Sequence, residues 1–149
     1  LRYRYFVNPT LVSGSAQLTA GTGPAIGSAA VADWVVDGTP QSFEVFASGI
    51  PDAVVTATPS SPLPAWLSVG TSAAGRLAIS GTPPAGAGGV YAFGVSASNA
   101  FGTTAVSTLS IIVEEAPQIN AVAGMNVHAG TPIGTHMVTA TGGYPATAT

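Results

Sequence analysis

The sequence predicts an all-β protein, an antiparallel β-sandwich arranged in tandem modules. Three observations carry that expectation. Short runs alternate apolar and polar residues, turn-forming residues fall about every ten positions, and a set of landmarks recurs after roughly ninety residues. No stretch of helical length shows a 3.6-residue amphipathic period.

Alternation places the strands in order. Val31–Val36 and Ala53–Thr58 are short strands. In Ser42–Ser48, Phe43, Val45 and Ala47 share one face, since successive side chains of a strand point to opposite sides. In Arg76–Ser80, Leu77 and Ile79 point the same way. Val90–Ser98 puts Tyr91, Phe93, Val95 and Ala97 on one face, and Thr104–Val113 does the same with Leu109, Ile111 and Val113. Turn signals separate the runs: Asp37-Gly38, Gly49–Asp52, Pro59–Pro64, Gly81–Gly89 and Asn99–Gly102. About seven short strands spaced this way read as two packed sheets. The expected inner face is Phe43, Val45, Leu63, Leu67, Leu77, Ile79, Tyr91, Phe93, Val95, Leu109 and Ile111.

The repeat divides the chain. Gly23–Ile26 (GPAI) has a counterpart in Ala116–Ile119 (APQI), 93 residues on. The Gly38–Pro40 triplet (GTP) recurs at Gly130–Pro132, 92 residues on. Each triplet is followed by an alternating strand and a turn ending in proline, at Pro51 and at Pro145. Residues 1–22 then read as a lead-in, the end of a preceding domain, in which Arg2–Phe6 alternates like an edge strand. Residues 23–115 form one complete module, and 116–149 the N-terminal part of a second, truncated one, too short to close a sandwich by itself. The start at Leu1 and the end at Thr149 both read as cut, so targeting segments or anchors are expected outside this piece.

Composition excludes several function classes. Of 149 residues, 46% are hydrophobic and only 6% charged, which sustains a core and argues against disorder. Arg2, Arg4 and Arg76 are the only permanent cations, and the formal charge is −3, so there is no basic footprint for nucleic acid and no basic membrane helix. No apolar run is long enough to insert in a membrane as a helix. Cysteine is absent, which removes disulfides and thiol chemistry but leaves an extracellular location open.

Three segments together resemble a known family. They are LPAWLSV (Leu63–Val69), GRLAISGTPP (Gly75–Pro84) and GVYAFGVSASNAFGTTAVSTLSIIV (Gly89–Val113). In this order they resemble the immunoglobulin-like repeats of bacterial surface proteins, with related modules in cadherin-like and dystroglycan-like proteins. The resemblance covers residues 23–114, and implies an immunoglobulin-like β-sandwich. It also implies structural roles. Leu63 and Leu67 plug the core, Gly81, Thr82 and Pro83 form a fixed turn, Tyr91 anchors the next strand, and Asn99 and Gly102 cap a hairpin. Trp66 departs from the pattern, which often has a small residue there.

Reactive chemistry finds little footing. The titratable candidates for catalysis are Asp33, Asp37, Glu44, Asp52, Glu114, Glu115, His128 and His136. Only His128 and His136 are of a residue type that could serve as a general base near neutral pH, and both lie in the incomplete copy. There is no G-x-S-x-G elbow, no HExxH, and no lysine for a phosphate loop. No enzyme and no cofactor are expected. Calcium is the one metal with candidate ligands, Glu114, Glu115 and Asn99, all weak, with Asp33 and Asp37 near them. Calcium wants six to eight oxygens, and the dense acidic linker of cadherins is missing, so a solvated hinge is the plainer reading. Trp66, Phe46 and Trp34 are the candidate contact aromatics.

The expectation is a structural spacer or stalk repeat in a large secreted or surface-displayed protein, supporting adhesion. Its first partners would be neighbouring modules of the same chain. The alternatives are a carbohydrate- or protein-binding module, a phage virion or tail domain, and an accessory domain of a secreted hydrolase.

Overall fold

A computed structural model describes residues 20–120, 124, 128–130 and 132–145, together with strands β1 (Tyr5–Val7) and β2 (Thr10–Val12), which pair antiparallel. Arg2, Arg4 and the other lead-in residues at positions 1–4, 8–9 and 13–19 lie outside the described residues. The module itself is made of β3 (Thr22–Ile26), β4 (Val31–Val35), β5 (Gln41–Ile50), β6 (Val54–Pro59), β7 (Leu67–Val69), β8 (Arg76–Gly81), β9 (Gly89–Asn99), β10 (Gly102–Thr103) and β11 (Ser107–Glu114). Beyond it, β12 (Gln118–Ile119) pairs with β13 (Ala140–Thr141).

Two sheets face each other. One has the order β3-β5-β8-β7, and the other β10-β9-β11-β4, with β6 on the free side of β9. Alternation works as expected: Val45, Leu67, Leu77, Ile79, Phe93, Val95, Leu109 and Ile111 are all buried. Phe43, Leu63 and Tyr91 are half-buried against them. The core also takes Trp34, Ala32, Val55 and Val113, and Pro83 of the Gly-Thr-Pro turn is fully buried.

One pairing departs from the antiparallel expectation. β4 runs parallel to β11, Val31 opposite Ser110 and Val35 opposite Glu114. The cause lies in four residues between β3 and β4. The Gly27 amide still bonds the Phe46 carbonyl of the first sheet, whereas the Ala30 carbonyl accepts from Ser110 in the second. The chain therefore changes sheets while keeping its direction, and it arrives beside the last strand of the module running the same way.

The module has two distinct ends. Thr22, which opens β3, lies beside Asn99, where β9 finishes. Val113, near the close of β11, is opposite Gly89, where β9 begins. β9 has 11 residues, which at about 3.3 Å each separates these ends by roughly 33 Å. The chain thus enters at a leading end and leaves at a trailing end.

Candidate interaction surfaces at the two ends of the module

The leading end is braced by one side chain. Asn99 donates through Nδ2 to the Thr22 carbonyl at 2.8 Å and to the Pro51 carbonyl at 2.9 Å, while its Oδ1 accepts the Phe101 amide at 2.9 Å. Both amide hydrogens are thereby committed, and three loops are tied together. The expected hairpin cap is present, with a wider reach than local spacing conveys. Phe101, at the tip of that hairpin, is exposed and covers Gly21.

The trailing end is held by Tyr91 and Glu115. Tyr91 packs edge-on against Trp66, with ring centroids 5.1 Å apart, and its hydroxyl donates to the Ala87 carbonyl at 2.9 Å. Glu115 accepts the Gly86 amide on Oε1 at 2.7 Å and the Gly88 amide on Oε2 at 3.1 Å. Its backbone exchanges two hydrogen bonds with Tyr144, at 3.0 and 2.9 Å. A groove of about 390 Å³ opens here, between Val35, Val36, Glu114, Glu115, Tyr144 and Pro145. Asp37 lies just past β4, where its carboxylate accepts the Thr39 amide and hydroxyl at 2.9 and 2.6 Å. Those bonds lower its pKa below the ordinary carboxylate value.

Burial, and then the negative charge of Glu115, raise the pKa of the Tyr91 hydroxyl. A folded-state value above the unfolded one favours the protonated form. The associated stability is therefore present below about pH 10 and lost as pH rises through the higher folded value. Melts followed from about pH 9 to about pH 11 should fall more steeply for the wild-type chain than for Tyr91→Phe. Parallel alkaline curves would show that this hydroxyl is not linked to folding.

The placement of the candidate residues corrects several expectations. Asn99 lies at the leading end and Glu114, Glu115 and Asp37 at the trailing end, so one cation cannot be shared among them within this module. Among the described residues, no three His, Cys, Asp or Glu side chains cluster in a way that could hold a metal. Trp34 is 3% exposed and packs within the core, 6.5 Å from the Trp66 ring, so it is not a contact aromatic. Its inward direction follows from the parallel pairing of β4, opposite Val113. Trp66 is half-buried between Trp34 and Tyr91. Phe46 is on the outer face as alternation requires, but its ring lies against Gly27 and under the Arg76 guanidinium. Arg76 also pairs with Glu44, and both are half-exposed. Sequence reasoning missed Phe101 and Tyr144. The exposed Phe101 sits in a turn, where alternation assigns no face, and Tyr144 is placed by its backbone bonds to Glu115, 29 residues away, and by the close approach of Gly88.

Residues 23–114, more than half of the chain, match the profile of the family described as "Putative Ig domain". The chain belongs to this family. The Ig module is also similar to solved structures. A chimeric titin Z1Z2 carrying a decorin peptide is 18% identical over 66% of this chain and 100% of that one, with a TM-score of 0.48. The titin M3 domain is 17% identical over 62% and 97%, with a TM-score of 0.47. An endo-fucoidan hydrolase of glycoside hydrolase family 107 is 19% identical over 64% of this chain but 14% of the enzyme, with a TM-score of 0.44. No curated protein matches the chain. Among the described residues, no helix is long and apolar enough to cross a membrane.

Proposed function

We propose that this Ig module is a non-catalytic spacer in an extracellular or surface-displayed tandem array, and that residues 116–149 begin the next unit. The observation that carries the reading is the geometry of the two ends. The chain enters at one end of the sandwich and leaves at the other, so modules joined in sequence extend a stalk instead of folding back. The parallel pairing of β4 with β11 adds a mechanical argument. A pull on the two ends loads that ladder in shear, so its hydrogen bonds resist together.

The second segment supports the repeat by its register. Ala25 pairs with Ser48 and Ile26 with Ala47 in the module. Gln118 pairs with Thr141 and Ile119 with Ala140 beyond it, each 93 residues on. The Gly27 amide bonds the Phe46 carbonyl, and the Asn120 amide bonds the Thr139 carbonyl at the same offset. The side chains at that place differ in a compensating way: the Phe46 ring lies over Gly27, whereas Asn120 and Thr139 hydrogen-bond through their side chains at 3.1 Å.

Single-molecule stretching of the 149-residue chain, tethered at its two termini, tests the reading. The expected trace has one discrete unfolding event that releases about 300 Å of chain, at about 3.4 Å per residue of the module. Gradual extension without a discrete event would remove the mechanical basis of a spacer.

A further inference from the structure

The segment Pro84–Gly88 closes the connection from β8 to β9 at the trailing end, and it is held from both sides. Tyr91 holds the Ala87 carbonyl from within, at 2.9 Å. Glu115, already past the last strand, takes the Gly86 and Gly88 amides with its two carboxylate oxygens. Such charge-assisted bonds are stronger than neutral ones, and a bidentate pair fixes direction as well as distance. Glu115 is also a backbone partner of Tyr144, and a Cβ placed on Gly88 would come within 2.8 Å of the Tyr144 Cβ and 2.9 Å of the Glu115 carboxylate. Only a residue without a side chain lets the loop, the carboxylate and Tyr144 close on one another.

The Glu115–Tyr144 bridge also has a counterpart inside the module. Thr22 pairs with Ile50, 93 and 94 residues earlier, and those residues open the leading end. Tyr144 therefore belongs to the leading end of the segment that follows. Its counterpart Ile50 is 52% exposed.

We propose that the Pro84–Gly88 loop together with Glu115 is a seat for the leading end of the following unit, with Tyr144 as the docked residue and Glu115 as the positioning residue that sets the angle between the two. The joint is then a clamp at a fixed angle, in place of the solvated hinge expected from sequence. This deepens the spacer reading, and the two fail separately, since stretching reports on residues 23–114 whereas the joint is read by orientation across it.

The test uses residual dipolar couplings and amide exchange on the 149-residue chain, comparing wild type with Glu115→Ala, Glu115→Gln, Gly88→Ala and the control Glu114→Ala. In the wild type, one alignment should fit β9, β11, β12 and β13 together. In Glu115→Ala, the couplings in β12 and β13 should fall about twofold or more relative to those in β9 and β11. Exchange at the Gly86 and Gly88 amides should rise about tenfold, as expected for a lost charge-assisted bond. Gly88→Ala should loosen the same couplings, and Glu115→Gln should give an intermediate result. Glu114→Ala should behave as wild type. The proposal is overturned if Glu115→Ala leaves couplings and exchange unchanged, if Glu114→Ala does the same damage, or if the Glu115 variants lower the melting temperature without loosening the joint.

Discussion

Replacing Phe93 with alanine should lower the stability of the module by about 3–5 kcal/mol, the cost typical of deleting a large aromatic from a closed core. Phe93 is 0% exposed. It sits near the middle of β9, opposite Leu109 on one side and Pro59 on the other. Strands lie on both flanks and the second sheet closes over the ring, so the neighbours have little freedom to collapse into the gap. Urea denaturation of Phe93→Ala against wild type measures the loss as a shift in midpoint with the slope unchanged. Phe93→Leu, which keeps most of the volume, should cost about 1.5 kcal/mol or less. A loss under about 1 kcal/mol for the alanine variant would mean that the two sheets close elsewhere.

Gly75→Ala should cost about 2–4 kcal/mol, from two separate causes. The turn Ala73–Arg76 places both central residues at positive φ, 48° at Ala74 and 75° at Gly75. This is the conformation that two-residue hairpin turns favour, usually with Asn followed by Gly. A side chain at Gly75 adds left-handed strain, and its Cβ would come within 2.4 Å of the Ala47 carbonyl oxygen. The backbone cannot retreat, because the Gly75 carbonyl accepts the Ala47 amide at 2.7 Å. Ala74 is the informative contrast. It bears the positive φ without that close approach, so Ala74→Asn should stabilise the chain by about 0.5–1 kcal/mol. Thermal melts of the two variants read opposite signs from adjacent residues. A Gly75→Ala chain as stable as wild type would show that the turn rearranges freely.

Much of the fold was legible because the period of a strand is two and the turns announce themselves chemically. Val45, Leu77, Phe93, Val95 and Ile111 were placed in the core by alternation alone, and each is buried. The same rule failed to place Trp34. β4 is short and mostly apolar, so both faces read alike until a neighbour is known, and that neighbour, Val113, is far along the chain. Proline at position 83 was legible as a strand stop, whereas its complete burial was not. At the ends of the module the limit is of another kind. Asn99 was readable as a local cap, but its bonds to Thr22 and Pro51 span 77 and 48 residues. Glu115 looked like a solvated linker residue or a weak calcium ligand, because nothing in its local text mentions the amides of Gly86 and Gly88.

By itself, then, the sequence determined the all-β class, the strand positions and most of the inner face. Those properties are set by local pattern and by the need to hide apolar side chains from water. Tertiary structure alone decided that β4 runs parallel to β11, which way Trp34 points, and how the two ends are built. Each of these depends on which distant backbone groups meet, and hydrogen bonds between remote loops leave no periodic mark on the chain.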